Sequence, residues 1–166
     1  MKKITFILLA LISGTTFAQN SADAKAEVNA QIVSPITLAS TQNLNFGSIV
    51  KTTAGGTVIL HPKTGKRSYS DSKMEVNSSS FAIAMFDVSI EDNYTYSVTI
   101  TNTSLTSTVS GAVDMPLAFT HSFDPTSNVS SGNTKDSFGV GGELTVNANQ
   151  LAGAYTGEAA VTVTYE

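Results

Sequence analysis

Apolar residues in this chain recur at every second position, and no ten-residue stretch shows a convincing helical period. Tyr94-Thr-Tyr96-Ser-Val98-Thr-Ile100 is the clearest run, and Ala159-Ala-Val161-Thr-Val163-Thr-Tyr165 repeats the pattern later. A period of two sends alternate side chains to opposite faces of a strand, so each run carries one apolar face that needs cover. Ser and Thr make up about a quarter of the residues, Val and Ile are frequent and charged residues are 13%, a composition that favours strands.

Further strand signals follow one another closely. Ala24 to Val33 alternates small apolar with polar residues, and Pro35 ends it. Leu44-Asn-Phe46-Gly-Ser-Ile49-Val50 precedes a Gly55-Gly56 turn, and Thr57 to His61 completes what reads as a hairpin. Pro62 to Lys73 reads as a loop or a short edge strand. Phe81-Ala-Ile83-Ala-Met85 and Phe86-Asp-Val88-Ser-Ile90 alternate one residue out of phase, which predicts a bulge or a bend between sheets. Leu117 to Phe119 is a short strand, Asp124 to Lys135 a polar loop, and Val140 to Val146 a further strand carrying Gly141 and Gly142. Gly153 bounds the terminal strand. The adjacent glycines at 55–56 and 141–142 are predicted to be turns needing positive φ. Eight or nine such segments, with no internal repeat and no linker, predict one β-sandwich of Greek-key type.

The first residues predict export. Lys2 and Lys3 precede the apolar run Ile4 to Ile12, and small residues lead to a cleavage site at Ala18–Gln19. Residues 1–18 are thus read as a signal peptide and 19–166 as a single domain. The apolar run is too short for a permanent span. The mature chain is expected in the periplasm, at the cell surface or in the medium. Removing Lys2 and Lys3 leaves 7 basic against 13 acidic residues, a net charge of −6 with no footprint for nucleic acid or anionic lipid. There is no cysteine, hence no disulfide, no thiolate nucleophile and no lipid-anchoring thiol.

Signals for chemistry are weak. His61 and His121 stand singly, and no Ser sits in a Gly-x-Ser-x-Gly elbow. Glu91-Asp92-Asn93 lacks the ligand spacing of a calcium loop and reads as a solvated turn. Lys63, Lys66, Arg67 and Lys73 gather around Tyr69, a pattern that suits either an anionic glycan or a solvated loop. Tyr94 and Tyr96 share a face with Val98 and are expected in the core, which weakens a sugar platform with Tyr155. No cofactor or metal is expected, and an enzyme is the least supported class.

Several segments carry a resemblance. Leu44-Asn-Phe46-Gly47-Ser-Ile49, Gly55-Gly56-Thr-Val58, Tyr94-x-Tyr96-Ser-Val98-Thr-Ile100, Val140-Gly-Gly-x-Leu144-x-Val146 and Gly153-x-Tyr155-x-Gly157 before Val161-x-Val163-x-Tyr165 resemble the exported Gram-negative domain of unknown function 4402. That domain is similar to chaperone–usher fimbrial subunits, whose C-terminal signature has a glycine and a penultimate tyrosine where this chain has Gly153 and Tyr165. The resemblance implies an immunoglobulin-like sandwich lacking one strand and completed by strand donation. It implies other copies or related subunits as partners, with a periplasmic chaperone and an outer-membrane usher. Val161, Val163 and Tyr165 would form the strand a chaperone grips. Ala26, Val28, Ala30 and Ile32 would be groove-filling residues of a donated extension, or else the domain's own first strand. Both readings stay open on the residues alone. The function expected is an exported structural or adhesive subunit. The alternative is a monomeric surface or secreted binding module, with a glycan as one ligand class.

Overall fold

The structure is a computed structural model that describes residues 21–123 and 134–166. The predicted signal peptide and most of the predicted Asp124–Lys135 loop lie outside the described residues. The chain divides into two units, residues 1–32 and Val33–Glu166. In the first, residues 21–32 have no regular structure and every side chain is exposed. The second unit is all-β, its antiparallel sheets packed as a sandwich.

Among the described residues nine strands build this body: β1 (Thr37–Gln42), β2 (Gly56–Leu60), β3 (Arg67–Tyr69), β4 (Ala84–Ser89), β5 (Tyr96–Thr101), β6 (Thr103–Leu105), β7 (Met115–His121), β8 (Lys135–Val146) and β9 (Ala160–Tyr165). A 3-10 turn at Ser72–Met74 is capped by the Asp71 carboxylate, which accepts from the Lys73 N–H. The twelve-residue β8 is the spine of the larger sheet. Its first half pairs with β4 and its second half with β2, while β7 pairs with Val140 to Leu144. Val140 faces both Ala84 and His121, and Leu144 faces both Val58 and Leu117, so β7 lies on the edge opposite both β4 and β2.

That arrangement explains the glycines of β8 and corrects one expectation. Gly141 and Gly142 are not turn residues: both lie inside the strand, and neither has a positive φ. What they provide is space. A Cβ on Gly142 would stand 2.6 Å from the Ala118 carbonyl oxygen of β7, and one on Gly141 would meet the Leu60 carbonyl of β2. At the other pair, Gly55 has φ +76 as expected for a turn, while Gly56 is close to extended and opens β2.

The smaller sheet pairs β5 with β9, from Tyr96 opposite Tyr165 to Thr101 opposite Ala160. One residue separates β5 from β6, and there the chain passes from the smaller sheet to the larger. Asn102 marks the switch, its Oδ1 accepting from the Phe119 N–H at 3.0 Å. Further along, Thr106 and Thr156 form an isolated antiparallel bridge, one residue out of the β5–β9 register.

Two apolar clusters fill the interior, and β8 contributes to both. Phe138 and Val140 join Phe86, Val88, Ile90 and Tyr96, while Leu144 and Val146 join Val58, Leu60, Met74, Met115 and Leu117. Val161, Val163 and Tyr165 pack on the first of these from β9, half-buried, while Ala160, Thr162 and Thr164 face outward. Replacing Val163 with Asp should therefore cost about 2–3 kcal/mol, from lost apolar cover and an unsatisfied carboxylate. Thr162→Asp should stay within about 0.5 kcal/mol. Urea melts of the two proteins would check the difference, and equal midpoints would contradict the facing.

The phase slip at Met85–Phe86 is not a break in β4, which stays in unbroken register with β8 and buries Ala84, Phe86 and Val88, leaving Met85 on the other face. Ser40 pairs with Phe86 and Gln42 with Met85, leaving Thr41 as an extra residue on β1. The bulge is thus on the partner strand, with the Thr41 hydroxyl donating to the Met85 carbonyl at 3.2 Å. The hairpin expected between residues 44–50 and 57–61 is not formed. β2 pairs with β3 and β8, and residues 44–50 make one isolated bridge, Asn45 to Ala82. Among the described residues β3 pairs with β2 alone, as an edge strand.

Candidate strand-acceptor groove

Between β1 and β9 the sandwich is open. A cavity of about 1000 Å³ lies there, with Leu105, Met115, Leu117, Phe119 and Leu144 on its floor. One wall is residues 40–51, and the other is residues 150–159. No ladder joins residues 43–51 to residues 150–159 among the described residues. An antiparallel sandwich normally covers such a floor with a strand.

The first wall is held from the body behind it. The Arg67 guanidinium donates to the Phe46 carbonyl at 2.7 Å and the Val76 carbonyl at 3.2 Å. It also lies over the Phe81 ring, 4.3 Å from its centroid, and 5.1 Å from that of Tyr69. Asn45 exchanges two backbone bonds with Ala82, the Val50 N–H donates to the Met74 carbonyl, and the Ser48 N–H donates to the Ser79 hydroxyl. Phe46 is buried, with Leu44 and Ile49 half-buried beside it.

Half of the second wall is made of small residues. Ala152, Gly153, Ala154, Gly157 and Ala159 line the cavity. Gly153 is not a left-handed turn position. It permits close approach, because a Cβ there would stand 2.8 Å from Val109 Cγ2, and one on Gly157 would stand 2.8 Å from Leu105 Cδ2. Tyr155 and Gln150 fix the base of this wall. The Gln150 amide donates to the Tyr155 hydroxyl at 2.9 Å and to the Val113 carbonyl, and accepts from Asn147 at 3.1 Å. The Tyr155 hydroxyl donates to the Leu151 carbonyl at 2.9 Å. Beyond the wall, β9 pairs with β5 and leaves its other edge without a ladder among the described residues.

The other residues singled out by sequence are distributed differently. Ala26, Val28, Ala30 and Ile32 all lie in the first unit outside any strand, with Val28 90% and Ile32 96% exposed. Of the basic group around Tyr69, Arg67 is committed to backbone carbonyls and rings, while Lys63, Lys66 and Lys73 are exposed. Tyr96 is buried, and burial together with its hydrogen bond to Asp136 at 2.7 Å pushes its phenol well above the ordinary range. Tyr94 packs edge-on against Tyr165, with centroids 5.6 Å apart. Residues 91–93 form a turn: Asn93 takes φ 63, and its N–H donates to Asp92 Oδ1. His61 Nε2 lies 3.0 Å from the Ser68 hydroxyl, and His121 packs near Phe123.

The profile of a family described as Domain of unknown function (DUF4402) matches residues 36–165. This chain belongs to that family. The match begins immediately before β1 and ends at the last residue of β9, so the DUF4402 region coincides with the sandwich and leaves out residues 24–33. Neither a curated protein nor a solved structure matches the chain. Among the described residues no helix is long and apolar enough to cross a membrane.

Proposed function

We infer that this DUF4402 chain is an exported structural subunit that assembles by β-strand addition, as a fimbrial pilin does. Residues 24–33 of one copy fill the open groove of the next, completing an immunoglobulin-like sandwich. One observation carries the reading: a single chain combines an uncovered apolar groove with an uncovered, alternating apolar segment. The missing ladder between the groove walls supports it, as does the start of the family match at residue 36, after the alternating segment. Covering Val28 and Ile32 would contribute about 1.5–3 kcal/mol each, with backbone hydrogen bonds to the walls in addition. Export through the signal peptide, and a chaperone that shields the free edge of β9 before assembly, fit the same scheme.

The test is an unboiled SDS gel of the full-length mature protein at rising concentration. A ladder of multimers is expected. Val28→Asp and Ile32→Asp should abolish it while the melting temperature of the monomer stays unchanged, because neither side chain belongs to the folded body. A strict monomer at high concentration, with a melting curve unmoved by a peptide spanning Ala24 to Val33, would refute the reading and favour a monomeric binding module.

A further inference from the structure

Three residues far apart in sequence close a ring of hydrogen bonds on the body. The Tyr165 hydroxyl accepts from the Glu91 N–H at 2.8 Å and donates to the Ser34 carbonyl at 3.0 Å. The Ser34 N–H donates to Glu91 Oε2 at 3.0 Å. These bonds to Ser34 hold the Glu91 carboxyl below its ordinary range. A different element places each member. Ser34 stands just ahead of β1, Glu91 begins the turn from β4 to β5, and Tyr165 ends β9.

The ring adds little to the attachment of β9. Six residue pairs already ladder that strand to β5, and Val161, Val163 and Tyr165 pack on the core. What it does fix is Ser34, which lies outside every strand and bonds to both Glu91 and Tyr165. Ser34 is where the chain enters the body from residues 24–33. The position matters because β9 leaves the groove at Ala159 and ends at Tyr165, six residues later. At the rise of a strand, that puts the ring about 20 Å along β9 from Ala159, and about 17 Å along β4 from Phe86, which also lines the groove.

We propose that Tyr165 and Glu91 are positioning residues that pin the root of the 24–33 segment away from the groove, so that it serves a second copy of this chain. The proposal rests on the strand-addition reading above and specifies its geometry. A root at one end and a groove elsewhere make a head-to-tail contact between unlike surfaces. Such a contact propagates into an open fibre rather than closing as a dimer.

The experiment compares the full-length mature protein with Tyr165→Phe, Glu91→Ala and the double variant at matched concentrations. Three readouts are taken: polymer yield on unboiled gels, monomer melting temperature, and affinity for a fluorescent Ala24–Val33 peptide. Tyr165→Phe keeps the ring packed against Tyr94 and removes only the hydroxyl. Both single variants should lower polymer yield by about tenfold with peptide affinity and melting temperature unchanged, and the double variant should be no worse than either. Wild-type yield from both variants overturns the proposal. So does a loss of peptide affinity equal to the loss of polymer, which would make the ring a support of the groove. A wild-type protein that neither polymerises nor binds the peptide defeats the strand-addition reading and this proposal with it. Polymer in the wild type with no effect in the variants defeats this proposal alone.

Discussion

Gly142→Val is expected to cost on the order of 3 kcal/mol or more, a large share of the stability of a domain this size. The added Cβ would stand 2.6 Å from the Ala118 carbonyl oxygen, 3.0 Å from Leu117 Cδ1 and 3.3 Å from the Phe119 Cα. Two of these contacts are backbone atoms of β7, so relief requires the β7–β8 ladder to open between Leu117 and His121. Both core clusters depend on β8, so the damage should spread beyond the site. Gly65 provides the contrast. A Cβ there meets nothing within 4 Å, so Gly65→Ala should lose only the cost of φ +64 in a non-glycine residue, about 1–2 kcal/mol. Chemical denaturation of the two proteins measures the difference. A Gly142→Val protein as stable as Gly65→Ala would show that β7 and β8 are not packed so closely.

The same glycine shows what a sequence hides. Adjacent glycines signal either a positive φ or the close approach of another backbone. Gly55 is the first case and Gly142 the second. Telling them apart requires knowing that β2 and β7 flank β8, a fact about Phe119 and Leu60, the ladder partners of Gly142, which stand 23 and 82 positions away. Strands with one buried face were legible. β5 and β9 follow the Tyr94–Ile100 and Ala159–Tyr165 alternation, because their apolar side chains face the core from one side. β1 was not. Thr37–Gln42 has only Leu38 half-buried, and its ladder to β4 is made by backbone groups that leave no trace in side-chain type. The converse holds at Leu44 to Val50, where Leu44, Phe46 and Ile49 touch the core without a strand on which to mount them. The groove was the least legible feature, because its walls, residues 43–51 and 150–159, are joined by no ladder among the described residues. Its one trace in the sequence is the five Ala and Gly residues among 152–159, which leave the second wall short of bulk.

That shortage of bulk leads to the prediction that bears most directly on assembly. Ala159 precedes β9 on the same alternation as Val161, Val163 and Tyr165, so its side chain faces inward, half-buried, where it lines the groove. Ala159→Trp should put an indole into the space a donated strand would occupy. In the isolated monomer the change should be neutral or stabilising by about 0.5–2 kcal/mol, since it covers an exposed apolar floor. In the full-length protein it should eliminate polymer, because the donor segment loses its seat while its own residues are untouched. The effect is directional and can be shown by mixing. An Ala159→Trp subunit retains residues 24–33, so it should cap a growing wild-type chain by donating its strand, yet accept none in return. Substoichiometric Ala159→Trp should therefore shorten wild-type polymers, whereas Val28→Asp, with an open groove and a spoiled donor, should act at the opposite end. A folded Ala159→Trp protein that polymerises as well as wild type would mean that the space between residues 40–51 and 150–159 is not where subunits meet.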